Sequence, residues 1–345
     1  MRLNEYDAKN TDWRRQLKEN DRKTKFVIAI FLGIFLLVGF LFDTFLGMGH
    51  YHASAETVFY ALITFSIFPI ATCVMLVIAG VTLWVTYRFH DKMMLLGTNS
   101  HEITADTAKT HEEKQLYNVV EEMKVAAGMR FMPKVYLIEA EYMNAFASGY
   151  SEKSAMVAIT NGLVQKLNRS ELQAVMAHEL THIRHHDIKL TLTVAVLSNI
   201  ILIAIDWLFY SMLFKGNSSQ NSREKGNDKL FMIVMILRFI LPLITGMLAL
   251  FLSRTREYMA DSGAVQLMRD NEPLANALLK ISGDHTAHQS EYMTAYGQTA
   301  HESVRRASYI FDPAKFNGAK HFSDMFTTHP SLEKRLAALG FKKSM

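Results

Sequence analysis

The chain has 345 residues, a formal net charge of +4 and only 20% charged side chains, while half its residues are apolar and its mean hydropathy is +0.06. Soluble domains carry about 25% charged residues, so the balance leans away from a soluble protein and excludes disordered, collagen-like and low-complexity classes. The single cysteine, Cys73, rules out an intrachain disulfide and a cysteine-based metal cluster, and so small a net charge gives no reason to expect a nucleic-acid partner.

Residues 1–25 form a charged leader with eight Lys and Arg. A first apolar span follows at 26–48, free of charge from Phe26 to Phe42, and a second at 57–87 has no charge at all. A third, 190–214, is apolar except for Asp206, and a fourth, 230–252, except for Arg238. A helix needs roughly 20 apolar residues to cross a bilayer, so these predict four hydrophobic helices and a lipid bilayer as a partner. The long mixed-charge leader argues against a cleaved signal peptide. Lys and Arg favour the cytoplasmic side. The leader carries eight and the loop 43–56 none, which predicts a cytoplasmic N-terminus with residues 88–189 and 253–345 on the same side. The loop 215–229 resists this, since it would face outward with Lys215, Arg223, Lys225 and Lys229. Asp206 and Arg238 sit at equal offsets from that loop, which predicts an ion pair between the third and fourth spans.

Between the spans the pattern is that of an α+β domain in two parts, 88–189 and 253–345. Thr110 and Glu113 form a capping box. Leu116, Val119, Val120, Met123 and Ala127 then follow at helical spacing to Gly128. Lys134–Ile138 and Ala155–Thr160 read as strands, Asn161-Gly162 as a turn, and Ser170 with Gln173 as a second capping box opening a helix to residue 185 or beyond. Pro273 suits the first turn of a helix over Leu274–Ile281. Residues 283–327 give no clear pattern.

The helix opened at Ser170 carries HELTH at 178–182. His178 and His182 are one turn apart, so both rings leave one face and can bind one zinc, while Glu179 lies about 100° round, placed to act as a base. A catalytic zinc takes a third protein ligand. The nearby His185 and His186 continue away from that face. The alternative is Glu257, which shares a helix face with Asp261 four residues on; Asp261 would then accept a hydrogen bond from a ligand imidazole. Topology favours the alternative: His182 precedes the third span, Glu257 follows the fourth, and an antiparallel hairpin returns both to one membrane face.

The set NAFASG (144–149), HELTHIRHHD (178–187), SRTREYMAD (253–261) and THPSLEKRL (328–336) resembles the HtpX family of membrane zinc metallopeptidases, gluzincin relatives of the CAAX prenyl endopeptidases. The resemblance covers residues 85–345 and the two leading spans. It implies a mainly α integral membrane protein with a cytoplasmic gluzincin-type domain, one Zn2+ per subunit on His178, His182 and Glu257, and Glu179 as catalytic base. It implies further that Asn144, Ala145, Phe146, Ala147, Ser148 and Gly149 form an edge strand binding the substrate backbone, and that His329 steadies the oxyanion. The role implied is proteolytic quality control of damaged membrane proteins at the bacterial inner membrane. An intramembrane protease, a CAAX-type processing enzyme and a non-catalytic scaffold are the competing readings. The first would place the motif inside an apolar span, and the last would not need Glu179.

Overall fold

A computed structural model of the chain describes residues 3, 6–8, 12–149, 151–215, 225–299, 305, 308–311 and 329–343. The polar loop at 216–224, Thr328 and much of the stretch 283–327 lie outside them. The chain divides into two units, one of Met1–Thr24, Tyr87–Leu190 and Leu250–Met345, the other of Lys25–Thr86 and Thr191–Ala249.

The second unit is helical. It takes the larger part of α1 (Trp13–Tyr51), α2 (Ala55–Ile63), most of α3 (Ile70–Leu95), and the apolar parts of α7 (Asp187–Lys215) and α8 (Lys225–Met268). Four of these helices are long and apolar enough to cross a membrane: Arg14–Tyr51, Ile70–Phe89, Asp187–Phe214 and Lys229–Met268. Phe35, Val38, Met75, Ile201, Ile205, Leu208 and Val234 pack together inside, while Leu36, Val77, Trp84, Ile203, Phe239 and Leu243 are exposed. So much bare apolar surface suits a lipid solvent. The run 57–87 is two helices, not one. Pro69 cannot donate a helical hydrogen bond and restricts the residue before it, and Phe65 takes a positive φ of 55°. Asp43 of α1 then receives the restarted helix, accepting from Ala71 N–H at 2.6 Å and from Thr72 N–H and Oγ1 at 2.9 and 2.7 Å.

The first unit holds a four-stranded sheet of β2 (Ser100–Ile103), β3 (Lys134–Ile138), β4 (Ala145–Ser148) and β5 (Met156–Thr160) in the order β2-β3-β5-β4. Only β3 and β5 run parallel, and β4 lies at one edge. Helices α4 (His111–Ala126), α5 (Asn161–Lys166), α6 (Arg169–Arg184), α9 (Glu272–Ala287) and α10 (Gln289–Gln298) accompany the sheet. The expected box at Thr110 and Glu113 caps α4. The box opening α6 is Asn168 with Glu171, two residues before Ser170 and Gln173. Asparagine caps as well as serine, and the earlier start leaves Glu171 to pair with Lys280 at 2.7 Å. Asn161-Gly162 opens α5 instead of a turn. A Cβ at Gly162 would stand 1.9 Å from the Glu141 carbonyl oxygen, so glycine answers a close approach here. After α11 (Leu332–Ala338), strand β6 (Phe341–Lys343) pairs antiparallel with β1 (Tyr6–Ala8).

Candidate metal centre

Helix α6 is buried over nearly its whole length, with Leu172, Val175, Met176 and Leu180 inaccessible to solvent. That packing fixes where one face of the helix points. His178 and His182 leave that face with their Nε2 atoms 3.2 Å apart. Glu257, on α8, brings Oε1 to 3.5 Å from His182 Nε2 and Oε2 to 3.9 Å from His178 Nε2. One ligand atom from each of the three lies within 4.8 Å of the others, an arrangement that can hold a metal ion.

The outer ring nitrogens decide what the inner ones are. His178 Nδ1 lies 3.0 Å from Asp261 Oδ1, and His182 Nδ1 lies 2.8 Å from Asp187 Oδ2. A carboxylate can only accept, so each Nδ1 turns its proton outward, and in the neutral ring the Nε2 lone pair is left facing the other histidine. Two lone pairs facing each other across 3.2 Å, with a carboxylate beside them, repel unless a cation sits among them. This donor set of two imidazoles and one carboxylate fits zinc.

Each carboxylate is held in turn by a buried arginine. Arg335 of α11 grips Asp261 with two bonds, Nε to Oδ2 at 3.0 Å and Nη2 to Oδ1 at 2.6 Å. Arg256 of α8 pairs with Asp187. The result is two parallel chains, His178–Asp261–Arg335 and His182–Asp187–Arg256. Burial pushes the Asp261 carboxyl up, but the Arg335 charge and the His178 hydrogen bond outweigh it and keep it ionised. Burial and the neighbouring His178 lower His182 to about 3, so it stays neutral and able to ligate.

Glu179 is inaccessible, and neither of its carboxylate oxygens accepts a hydrogen bond from the described residues. Burial first, and the Glu257 charge second, push its carboxyl well above the ordinary range; Arg335 and the Ala147 backbone oppose this. Glu257 goes the other way. Burial raises it, yet His329, Arg335 and His182 together hold it well below the ordinary range.

The structure thus brings His178, Glu179, His182, Glu257 and Asp261 together. It sets His329 beside them, buried, with Nδ1 3.2 Å from Glu257 Oε2. His185 and His186 stay outside the ligand group: α6 ends at Arg184, and His186 turns the chain at a φ of 55°. Asn144–Gly149 contains the edge strand β4, buried throughout. The Asn144 amide is engaged within the chain, donating to Tyr296 Oη and to the Phe311 carbonyl, each at 3.0 Å. Asp187, Arg256 and Arg335 are the residues that sequence reasoning missed. The available signal was weak: an acid five residues past His182, and basic residues inside two quoted motifs.

The profile of peptidase family M48 matches residues 110–341. Two curated relatives are each a protease HtpX homolog. That of Helicobacter pylori (strain Shi470) is 38% identical over 329 residues, covering 95% of this chain and 98% of that protein. That of Limosilactobacillus reuteri (strain DSM 20016) is 34% identical over 328 residues, covering 94% and 98%. Among solved structures, the crystal structure of S. mikatae Ste24p aligns with a TM-score of 0.49 at 18% identity, over 94% of this chain and 66% of that one.

Proposed function

Since the chain belongs to peptidase family M48 and is a membrane metalloprotease, we propose that it is a zinc-dependent endopeptidase that cleaves misfolded or damaged membrane proteins at the cytoplasmic face of a bacterial inner membrane. The observation that carries this reading is the facing pair of Nε2 atoms on His178 and His182, closed by Glu257 and backed by two carboxylate–arginine chains. His178, His182 and Glu257 would hold the ion, which supplies Lewis acidity toward water and a peptide carbonyl. Glu179 is the base. Burial leaves its carboxylate avid for a proton, so it takes one from the attacking water and returns it to the departing amine. Asp261 and Asp187 hold the imidazoles in the tautomer that ligates. His329 and Arg335, both against Glu257, are placed to face charge developing on the carbonyl oxygen. β4 supplies main-chain groups to an extended peptide. The HELTH motif lies on α6, which is not one of the four helices long and apolar enough to cross a membrane, and this disfavours cleavage within the bilayer.

Glu179→Gln tests the reading. The variant should bind about one zinc and lose cleavage of an unfolded polypeptide by at least a hundredfold; turnover near that of the wild type would end the proposed mechanism. Orientation rests on the leader's eight positive charges against none in residues 43–56. In a Cys73→Ser background, a cysteine at His50 should react with an impermeant reagent outside intact cells and one at Glu291 should not; the reverse pattern puts the site outside.

A further inference from the structure

The outer edge of β4 is already taken. Asn144 turns its backbone to β5, its carbonyl accepting from Thr160 N–H at 3.0 Å. Ala145, the next residue, turns its carbonyl the other way. There it accepts from Ile310 N–H at 2.9 Å, and Phe146 forms an antiparallel bridge with Tyr309. The Asn144 side chain brackets the following residue, Nδ2 donating to the Phe311 carbonyl at 3.0 Å and Oδ1 accepting from Phe311 N–H at 3.4 Å. Arg335 Nη1 donates to the Ile310 carbonyl at 2.8 Å while its other nitrogens hold Asp261. The two side chains go to opposite faces. Tyr309 packs on Phe146 and Tyr296, and Ile310 is buried in the cluster that includes Leu336.

A peptide laid along β4 to reach Glu179 needs the same groups: the Ala145 carbonyl, the Asn144 amide and the Arg335 guanidinium. We propose that Ser308–Phe311 is an internal strand lying in the substrate track, and that a polypeptide binds by taking its place. The inference rests on the proteolytic reading above. It carries a statement about substrate class. Main-chain bonds are the same for any extended segment, so the exchange is decided by what fills the two side-chain positions. Successful segments are unfolded and offer an aromatic residue at the Tyr309 position followed by a branched aliphatic one at the Ile310 position. A folded protein cannot present such a segment. Apparent affinity falls by the fraction of molecules in which the track is open.

Two experiments on the full-length, zinc-loaded protein test this. Ile310→Pro removes the N–H that bonds Ala145 and should raise kcat/KM toward reduced, carboxymethylated α-lactalbumin about three- to tenfold, the scale of one hydrogen bond. A folded, zinc-loaded variant with unchanged or lower kcat/KM overturns the proposal. The second measurement needs no change to the strand. In Glu179→Gln, hydrogen exchange at the Ile310 amide should lose protection when the same polypeptide is added to saturation. Protection that persists, while wild-type protein cleaves that polypeptide, overturns the internal strand alone. Wild-type protein that binds zinc and cleaves nothing overturns the proteolytic reading along with it.

Discussion

At the scale of single residues, Asp187 and His285 have the sharpest consequences. Asp187 accepts from His182 Nδ1 and pairs with Arg256. Asp187→Asn keeps an acceptor but removes the charge and strands the guanidinium. Zinc affinity, read by competition with a chelator, should fall roughly 10- to 100-fold; an unchanged affinity would remove Asp187 from any part in holding His182. His285 is buried with Nδ1 2.9 Å from the Ile281 carbonyl and Nε2 3.1 Å from Tyr296 Oη. Burial lowers it to about 4, against an unfolded value near 6.5. Between these values the unfolded chain binds the extra proton. Stability is therefore full above about pH 6.5 and falls as pH drops toward 4, by up to about 3 kcal/mol. Thermal unfolding of wild type and His285→Gln across that window checks it, the variant giving the flatter acid limb. Identical acid limbs would assign the loss to other groups.

At the scale of elements, the third and fourth apolar helices are joined where equal offsets from their loop predict. Arg238 Nε donates to Asp206 Oδ1 at 2.7 Å and Nη2 to Tyr210 Oη at 2.9 Å, and the guanidinium lies over the Phe209 and Tyr210 rings. Asp206→Ala and Arg238→Ala should each lower stability in detergent, with the double variant little worse than either; strictly additive losses would mean that the pair does not couple. That pairing was legible because helices α7 and α8 have one period, and so was the meeting of His178 with His182 and of Glu257 with Asp261, each one turn apart. Other features carry no such period. Nothing in a charge-free run announces that residues 57–87 break in two except Pro69. Tyr309 and Ile310 lie in a stretch without alternation, and two paired residues are too few to show one. The arginines behind Asp261 and Asp187 come from α11 and α8, so only tertiary packing reveals whom they serve. Asn168 lost to Ser170 as the expected cap because both fit the same rule.

At the scale of the whole molecule, the peptidase unit is assembled from three separated stretches of chain, with the apolar unit threaded between them. HELTH lies in the second stretch and Glu257 in the third. Arg335, which holds Asp261, and β6, which pairs with β1, come later still. This order has a consequence for biosynthesis. Chains grow at about 5–20 residues per second, so the motif histidines leave the ribosome seconds before the carboxylate that completes their donor set, and longer before the guanidinium behind it. A nascent chain arrested between residues 190 and 250 should therefore carry both histidines without retaining zinc through gel filtration, and retention by such an intermediate would refute this. The protease is thus born unarmed: its own synthesis serves as a safety catch, released only after the last apolar helix has been made.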